Sequence, residues 1–335
     1  MSFALDSRAV PYMAPELVRD PGWRSERPGG RPHLVVHRLT PSTLKRIASA
    51  GGSGATVVGN ELYVQSELAY WRLRDSLAWP TYPSAETSLA RLRDTARGAT
   101  TAFILATGPS ALTVDCSAVD ADVRITCNSA VRDLTRLEAF RPTIIAFTDP
   151  VFHFGPSRYA AQFRRDLIAA LDVCDPLLLC GSTWVGPLMN LLPEVENRLA
   201  VIPFGQGPRW RWPSDRDPTV RWTASVLTNL MLPVALMLAQ HVSVAGVDGR
   251  RPSERYFWTH GLQYSDDLMQ SVFDAHPAFF RDVDYAAHYE RYCLEIEELI
   301  QFAESRGKSV IPAAPSWIPA FRRRGAMAPP SGTIN

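Results

Sequence analysis

From Thr101 onward the apolar positions change rhythm. Short runs of aliphatic and β-branched residues alternate with longer stretches in which apolar side chains recur every three or four positions. "TAFILAT", "DVRITCN" and "TIIAFTD" predict three strands, "PLLLCGS" a fourth and "LAVIPF" a fifth. "RYAAQFRRDLIAALD" predicts an amphipathic helix and "SVLTNLMLPVALMLA" a buried one. "HVSVAGVD" then predicts a strand, "AAHYERYCLEIEELIQFAESRG" a long helix and "KSVIPAA" a closing strand. Strands separated in this way by helices predict an α/β fold, built on a mostly parallel sheet with helices on both faces.

The first 85 residues follow no such rhythm. They are rich in Pro, Gly and Arg and predict a partly irregular N-terminal extension. "HLVVHRL" and "ATVVGNELYV" are its candidate short strands, in a small hairpin. "SAETSLARLRDTARG" reads as a helix capped by Ser84 or Thr87 and closed at Gly98. The expected organisation is an extension over 1–85, a Rossmann-like α/β domain over 86–321 and a disordered tail over 322–335, "RRRGAMAPPSGTIN". Between Gly205 and Trp222, "GQGPRWRWPSDRDPTVRW" reads as a charged, aromatic surface loop.

Composition narrows the class without naming it. With 46% hydrophobic and 21% charged residues the chain has the material for a large core, and its formal net charge of +1 gives no general pull toward nucleic acid or acidic lipid. The five cysteines have no CxxC spacing and read as thiols of a cytoplasmic protein. No signal peptide is visible at the N-terminus. Trp222 to Val247 holds no charged residue, which is long enough for a bilayer, but Asn229, Pro233, Gln240 and His241 interrupt it. A buried helix followed by a buried strand is the reading preferred.

In an open parallel sheet, ligands collect beyond the carboxyl ends of the strands. The residues there are Gly108-Pro109-Ser110, Asn128, Asp149-Pro150, Gly181-Ser182 and Gly246-Val247-Asp248. Glycine at 108 lets backbone N–H groups approach a phosphate, though a plain strand-to-helix turn needs the same residue. Asp248 can hold a ribose hydroxyl or a metal, or only cap a turn. Asn128 can bond a base, sugar or phosphate, or only cap a helix. Arg250 and Tyr256 lie in "RRPSERYFW", an arginine-rich loop suited to an anionic leaving group or simply to water. His288 opens a helix and can serve as a general base; His153, His260 and His276 have less to recommend them. Glu297 and Glu298 read as an ordinary helix face. There is no GxxxxGK[ST], no GxGxxG and no zinc spacing.

The order of these short motifs from about residue 101 to 319 resembles the superfamily that joins the family 42 sialyltransferases to the MptE-like proteins (domain of unknown function 115). The pieces are "TGPSAL", "ITCNSA", "FTDPVFHF", "TASVLTNLMLPVALMLAQHVSVAGVD", Tyr256, His288 and "VIPAAPSW". The resemblance implies a nucleotide-sugar-binding catalytic domain that holds a CMP-activated acidic keto sugar. By the same resemblance Gly108, Pro109, Ser110, Asn128 and Asp248 would bind the nucleotide, and Asp149 and Ser225 the donor sugar. Tyr256 would hold the departing phosphate, and His288 would take the acceptor proton in a one-step inverting displacement. Three positions depart from the sialyltransferase pattern: Ala106 replaces a glycine, Asp149 an asparagine and Arg250 a tyrosine, a charge that can serve the phosphate.

Three functions follow as expectations. The first is an inverting, metal-independent glycosyltransferase without cofactor, using a sialic acid-like sugar, another nonulosonic acid or Kdo for a surface polysaccharide. Its partners would be the CMP-sugar donor and a glycan or lipid-linked acceptor, with no nucleic acid. The second is a magnesium-dependent 6-hydroxymethylpterin diphosphokinase of the MptE-like branch, in which Asp149 and Asp248 pair. The third is a non-catalytic nucleotide-binding module. The arginines and aromatics of 205–222 and the Arg322–Arg324 cluster fit an anionic acceptor or a peripheral contact with the inner face of a membrane, and surface solubility explains them almost as well.

Overall fold

The computed structural model describes residues 2–4, 33–36, 56–59, 82–154, 158–182, 185, 188–189, 192–205, 207–223, 225–250 and 284–328. Contacts divide the chain into two units. One holds the described residues of Met1–Trp79 and Asp149–Arg165; the other holds those of Pro80–Thr148, Asp166–Gln263 and Asp284–Asn335.

In the first unit, β1 (Ser2–Ala4), β2 (His33–Val36) and β3 (Thr56–Gly59) form a three-stranded sheet in the order β1-β3-β2. Both pairings are parallel. A hairpin of the two predicted strands would be antiparallel, so that expectation is corrected: 19 residues or more separate each strand from the next, enough for a crossover.

The second unit begins with α1 (Ala85–Thr95), N-capped by Ser84, whose hydroxyl accepts from the Thr87 N–H at 3.1 Å. The predicted strands follow in order, β4 (Thr101–Leu105), β5 (Val123–Cys127) and β6 (Ile144–Phe147), with an unpredicted short helix, α2 (Leu134–Phe140), before the last. Helix α3 (Pro150–Phe154) and α4 (Arg158–Val173) as far as Arg165 belong to the first unit; the second resumes with the rest of α4, β7 (Leu177–Gly181), β8 (Leu199–Ile202) and the two-residue strands β9 (Phe204–Gly205) and β10 (Val220–Arg221). A π-turn over Leu227–Met231 leads into α5 (Leu232–Leu238), followed by β11 (His241–Ala245), α6 (Tyr285–Glu304), β12 (Ser309–Pro312) and α7 (Pro319–Arg323).

Seven strands make one wholly parallel sheet in the order β12-β11-β4-β5-β6-β7-β8. The period of two along each strand sends alternate side chains to opposite faces. Ala102, Ile104, Ile125, Val242 and Val244 join one large cluster with Leu89 and Leu92 of α1, Leu232 and Leu236 of α5, and Ile296 and Leu299 of α6. Leu105 and Ala245 join a second cluster with Ala111, Cys116 and Phe140, against which Phe103 packs. Both faces are therefore covered, as an apolar parallel sheet requires. At the β8 edge, α1 supplies side-chain partners: Ser88 accepts from the Val201 N–H at 2.8 Å and Arg91 donates to the Leu199 carbonyl at 2.8 Å.

The uncharged run from Trp222 to Val247 is the π-turn, α5 and β11, with Leu227 through Leu236 buried. Among the described residues no helix is long and apolar enough to cross a membrane.

Two expectations are corrected in this unit. Residues 322–328, part of a segment expected to be disordered, continue α7 through Arg323 and are held by side chains. Arg324 donates to Glu304 at 2.7 Å and to Glu297 at 3.1 Å, and the Ser316 N–H bonds the Met327 carbonyl at 2.9 Å. The Gly205–Trp222 insertion is likewise no loose surface loop. Its Trp210 indole N–H and its Arg221 both donate to Glu298, at 2.9 and 3.1 Å, and Trp210 and Trp212 pack on the main core. Glu297 and Glu298 are thus the anchors of two segments distant in sequence.

Candidate functional site

Strand order places the reversal of direction between β4 and β11: from β4 the sheet grows one way through β5 and the other way through β11. This is the topological switch point, the place where sheets of this kind commonly bind their ligands. The loops are Ala106–Pro109 and Gly246–Arg250, so the sequence's first candidate turn and its last candidate aspartate meet there.

They meet closely. The Ala106 N–H bonds the Ala245 carbonyl at 2.9 Å and the Gly108 N–H bonds the Gly246 carbonyl at 2.8 Å. Ser110, buried, donates its N–H to Asp248 Oδ1 at 2.8 Å and its hydroxyl to Oδ2 at 2.9 Å. A Cβ on Gly108 would lie 2.1 Å from Asp248 Oδ2 and 2.6 Å from the Gly246 oxygen. The backbone at Gly108 is extended, so close approach accounts for this glycine and left-handed geometry does not. Gly246 needs both: its φ is 73° and a Cβ there would lie 2.3 Å from the Ala106 oxygen. Pro109 sits at the first position of the 3-10 turn Pro109–Thr113, where its missing N–H costs no bond.

Asp248 is buried, and burial pushes its carboxyl up to about 6 against the opposing pull of the two Ser110 bonds. Its backbone is held from the far side by the segment after β12. The Ser316 hydroxyl donates to the Val247 carbonyl at 2.6 Å and the Trp317 N–H to the Asp248 carbonyl at 2.6 Å. Ser316 is a site-shaping residue that the sequence reading included only as a letter of "VIPAAPSW"; no local pattern signals a bond to a turn 69 residues earlier.

Asn128 follows β5, the neighbour of β4, and is one of two non-glycine residues with left-handed φ among those described, at 49°. Asparagine tolerates this region better than most residues. Its Oδ1 is buried and takes no hydrogen bond from any described residue. A buried carbonyl oxygen left in this way is costly unless something fills it.

Helix α6 is tied to the turn after β11. Asp284 caps it, accepting from the Ala286 and Ala287 N–H groups at 3.1 and 3.0 Å. His288 stands in its first turn, half-buried, and burial, helped by the Arg291 charge, lowers its pKa below 6.5. Next to it, Tyr289 grips the Arg250 backbone: its hydroxyl accepts from the Arg250 N–H at 3.2 Å and donates to the Arg250 carbonyl at 3.3 Å. The Arg250 guanidinium lies 4.8 Å over the Tyr289 ring and donates to the Tyr285 carbonyl at 3.3 Å. The Asp248 turn and the His288 helix end are thereby tied together. One turn further, Tyr292 hydrogen bonds the side chain of Ser225. The Ser225 hydroxyl also receives the Leu227 N–H at 3.2 Å at the start of the π-turn.

The structure thus gathers Gly108, Pro109, Ser110, Asp248, Arg250 and His288 around one switch point, with Asn128 on the adjoining strand end and Ser225 joined through Tyr292. Asp149 lies in the first unit; it accepts from the Phe152 N–H at 3.1 Å and starts α3. Tyr256, His260 and His276 fall outside the described residues. His153 is buried and stacked on Phe163, ring centroids 4.1 Å apart. The Arg322–Arg324 cluster offers less free charge than its sequence implies, because Arg323 and Arg324 are paired with Glu297 and Glu304. Among the described residues no group of three or more His, Cys, Asp or Glu side chains is arranged to hold a metal ion.

No protein-family profile matches the sequence, and no curated protein matches it. Solved structures do. A variant of the sialyltransferase CST-II in complex with CMP is 12% identical, with a TM-score of 0.40 over 68% of this chain and 86% of that one. CstII from Campylobacter jejuni with the substrate analogue CMP-3FNeuAc is 11% identical, with a TM-score of 0.36 over 69% and 86%. CST-II with a trisaccharide acceptor and CMP is 13% identical, with a TM-score of 0.38 over 69% and 86%. Identities and scores of this size carry no residue's role across.

Proposed function

We propose that the chain is an inverting, metal-independent glycosyltransferase that takes a CMP-activated acidic keto sugar, sialic acid-like, another nonulosonic acid or Kdo, as its donor for a surface glycan. The observation that carries this reading is the convergence at the β4/β11 switch point. A glycine turn, the unsatisfied Asn128 carbonyl, Arg250 after β11 and the helix end bearing His288 stand at the carboxyl ends of the strands.

The chemistry asks little more. CMP is a competent leaving group, so a base and fixed donors suffice and no protein nucleophile is required. His288, kept neutral by burial, takes the proton of the acceptor hydroxyl as that oxygen bonds to the anomeric carbon. The bond from that carbon to the CMP phosphate oxygen breaks on the opposite face, which inverts the centre. Arg250, oriented by Tyr289 and the Tyr285 carbonyl, meets the phosphate charge, and Tyr256 serves the same phosphate. Asn128 bonds the nucleotide. Asp248 acts mainly by position: its two oxygens hold the Ser110 turn, and the lone pairs left over are available to a ribose hydroxyl. Ser225 serves the donor sugar.

The test is thermal stabilisation by CMP, CDP, UDP, ADP and ATP, each with magnesium and with EDTA. A ligand that binds only the folded chain raises its Tm. A shift with CMP or CDP that survives EDTA is expected, and should be lost in Asn128→Ala. A shift confined to ATP with magnesium would put the diphosphokinase in its place.

A further inference from the structure

The amino ends of the strands hold a cavity of their own. Because all seven strands run parallel, the segments that enter β5, β6, β7 and β8 lie side by side at that end of the sheet. Together they line a cavity of about 690 Å³, within the range of small-molecule sites. Arg124, near the start of β5, stands about 13 Å along the strand from Asn128, just past its other end, so the cavity is separate from the switch point. Its floor is fixed. Thr143 Oγ1 accepts from the Arg124 N–H and donates to the Arg124 carbonyl, both at 3.0 Å, and the Leu177 N–H bonds the Thr143 carbonyl at 2.9 Å.

Three arginines line this cavity: Arg124, Arg141 and Arg198. Arg198 is paired with Asp175. Among the described residues neither Arg124 nor Arg141 is matched by a carboxylate, and the Arg124 Nε is buried with no acceptor. A buried charged donor left in this way is costly unless a ligand meets it. Arg141 is unusual in a second respect. It ends α2 with a left-handed φ of 50°, at a position where glycine is the common residue. An arginine there carries backbone strain that glycine would not, and strain of this kind gathers at ligand sites. One carboxylate satisfies one guanidinium fork, as Asp175 does for Arg198; a phosphate monoester presents three terminal oxygens and can meet two. Asp172 lines the same cavity and accepts hydrogen bonds only, which suits hydroxyl groups and disfavours a bare polyanion.

We infer that this cavity is a second ligand site, for a small sugar phosphate whose phosphate is held by Arg124 and Arg141 and whose hydroxyls face Asp172. The site stands whether or not the chain is a glycosyltransferase. Calorimetric titration of the full chain at constant ionic strength tests it, with ribose 5-phosphate, glucose 6-phosphate, ribose and inorganic phosphate as separate probes. One of the sugar phosphates is expected to bind saturably and ribose not at all. Its affinity should fall at least about tenfold in Arg124→Gln and in Arg141→Gly. Arg141→Gly should melt no lower than the unaltered chain, because glycine adopts the left-handed backbone freely, so its loss of binding cannot come from a failed fold. Binding of neither sugar phosphate, or affinity unchanged in both variants, overturns the site. Equal affinity for inorganic phosphate overturns the sugar phosphate as its ligand. Displacement by CMP, or a matching loss in Asn128→Ala, would put the phosphate at the switch point and overturns the second site as well. Binding of a sugar phosphate to a chain that takes no CMP supports the site and sinks the nucleotide reading instead.

Discussion

Ser110 and Asp248, 138 residues apart, are joined by two hydrogen bonds in which both partners are buried. The backbone N–H and the hydroxyl of one residue meet the two oxygens of the other. This clasp fixes the turn after β4 to the turn after β11, and it explains why the chain is so small at "TGPSA": the space beside Gly108 is taken by Asp248.

Asp248→Ala leaves both Ser110 donors buried without a partner and should cost about 2–4 kcal/mol of stability by urea unfolding. Asp248→Asn keeps an acceptor for the N–H and should cost less than half of that. Equal losses would mean that packing, and not the clasp, holds the turns together.

The same carboxyl gives stability a pH dependence. Its pKa is raised in the folded chain, from 3.8 to about 6, so its contribution is full below about pH 3.8 and is lost as pH rises through 6. Relative to Asp248→Asn, the unaltered chain should lose stability over that window, by an amount of order 3 kcal/mol. Paired urea titrations at pH 4 and pH 7 check this; a difference that grows with pH in the other sense would reverse the assignment.

Gly108→Ala drives a methyl group into Asp248 and the Gly246 carbonyl, and should lower stability by about 1–3 kcal/mol. Gly246→Ala adds a left-handed φ to its clash and should cost more. Gly98→Ala, left-handed but with nothing within 4 Å of its Cβ, separates the two costs. Thermal melts should rank the three Gly246, Gly108, Gly98 in decreasing damage.

If His288 is the base, its lowered pKa keeps it unprotonated through neutral pH, and the acid limb of kcat/KM for CMP release should lie below pH 6.5. His288→Ala should cut kcat by a factor of about 100 or more with little change in CMP affinity. An acid limb above pH 7, or retained turnover in the alanine variant, would remove it from the chemistry.

Asn229, buried, closes both backbone bonds of Thr223 and accepts from its hydroxyl at 2.9 Å. Asn229→Ala should cost about 2–4 kcal/mol. Hydrogen exchange at the Thr223 amide should rise more than at strands β4 and β5. Unchanged exchange there would mean that the amide finds another partner.

The parallel sheet was legible because an apolar strand covered on both faces has nowhere to place polar residues, and "TAFIL", "VRITC" and "HVSVA" carry that constraint in five letters each. Residues at the ends of those strands were legible for the same reason, which is why Gly108, Ser110, Asn128 and Asp248 fall at one edge. What they do there was not. Ser110 and Asp248 were read as facing a nucleotide, and they face each other. Short α2 offers barely two turns of periodicity, and β9 and β10 two residues each. Glu298 looked like a solvated helix face because its partners, Trp210 and Arg221, lie 88 and 77 residues earlier. Arg322–Arg324 read as a disordered basic tail because Glu297 and Glu304 lie on a different helix. Pairings over such distances have no local signature.

The central position of β4 bears on how the chain is made. One edge of "TAFIL" waits for β11, while β5 on its other side follows within about twenty residues. At the usual pace of about 5–20 residues per second, the interval between synthesis of Ser110 and of Asp248 is roughly 7 to 28 seconds. Through that interval the nascent chain carries an apolar strand with an open edge at its centre, a template for wrong pairing. Whatever shields β4 on the ribosome acts before the clasp exists, and a chain cut short before His241 should aggregate where the full one folds.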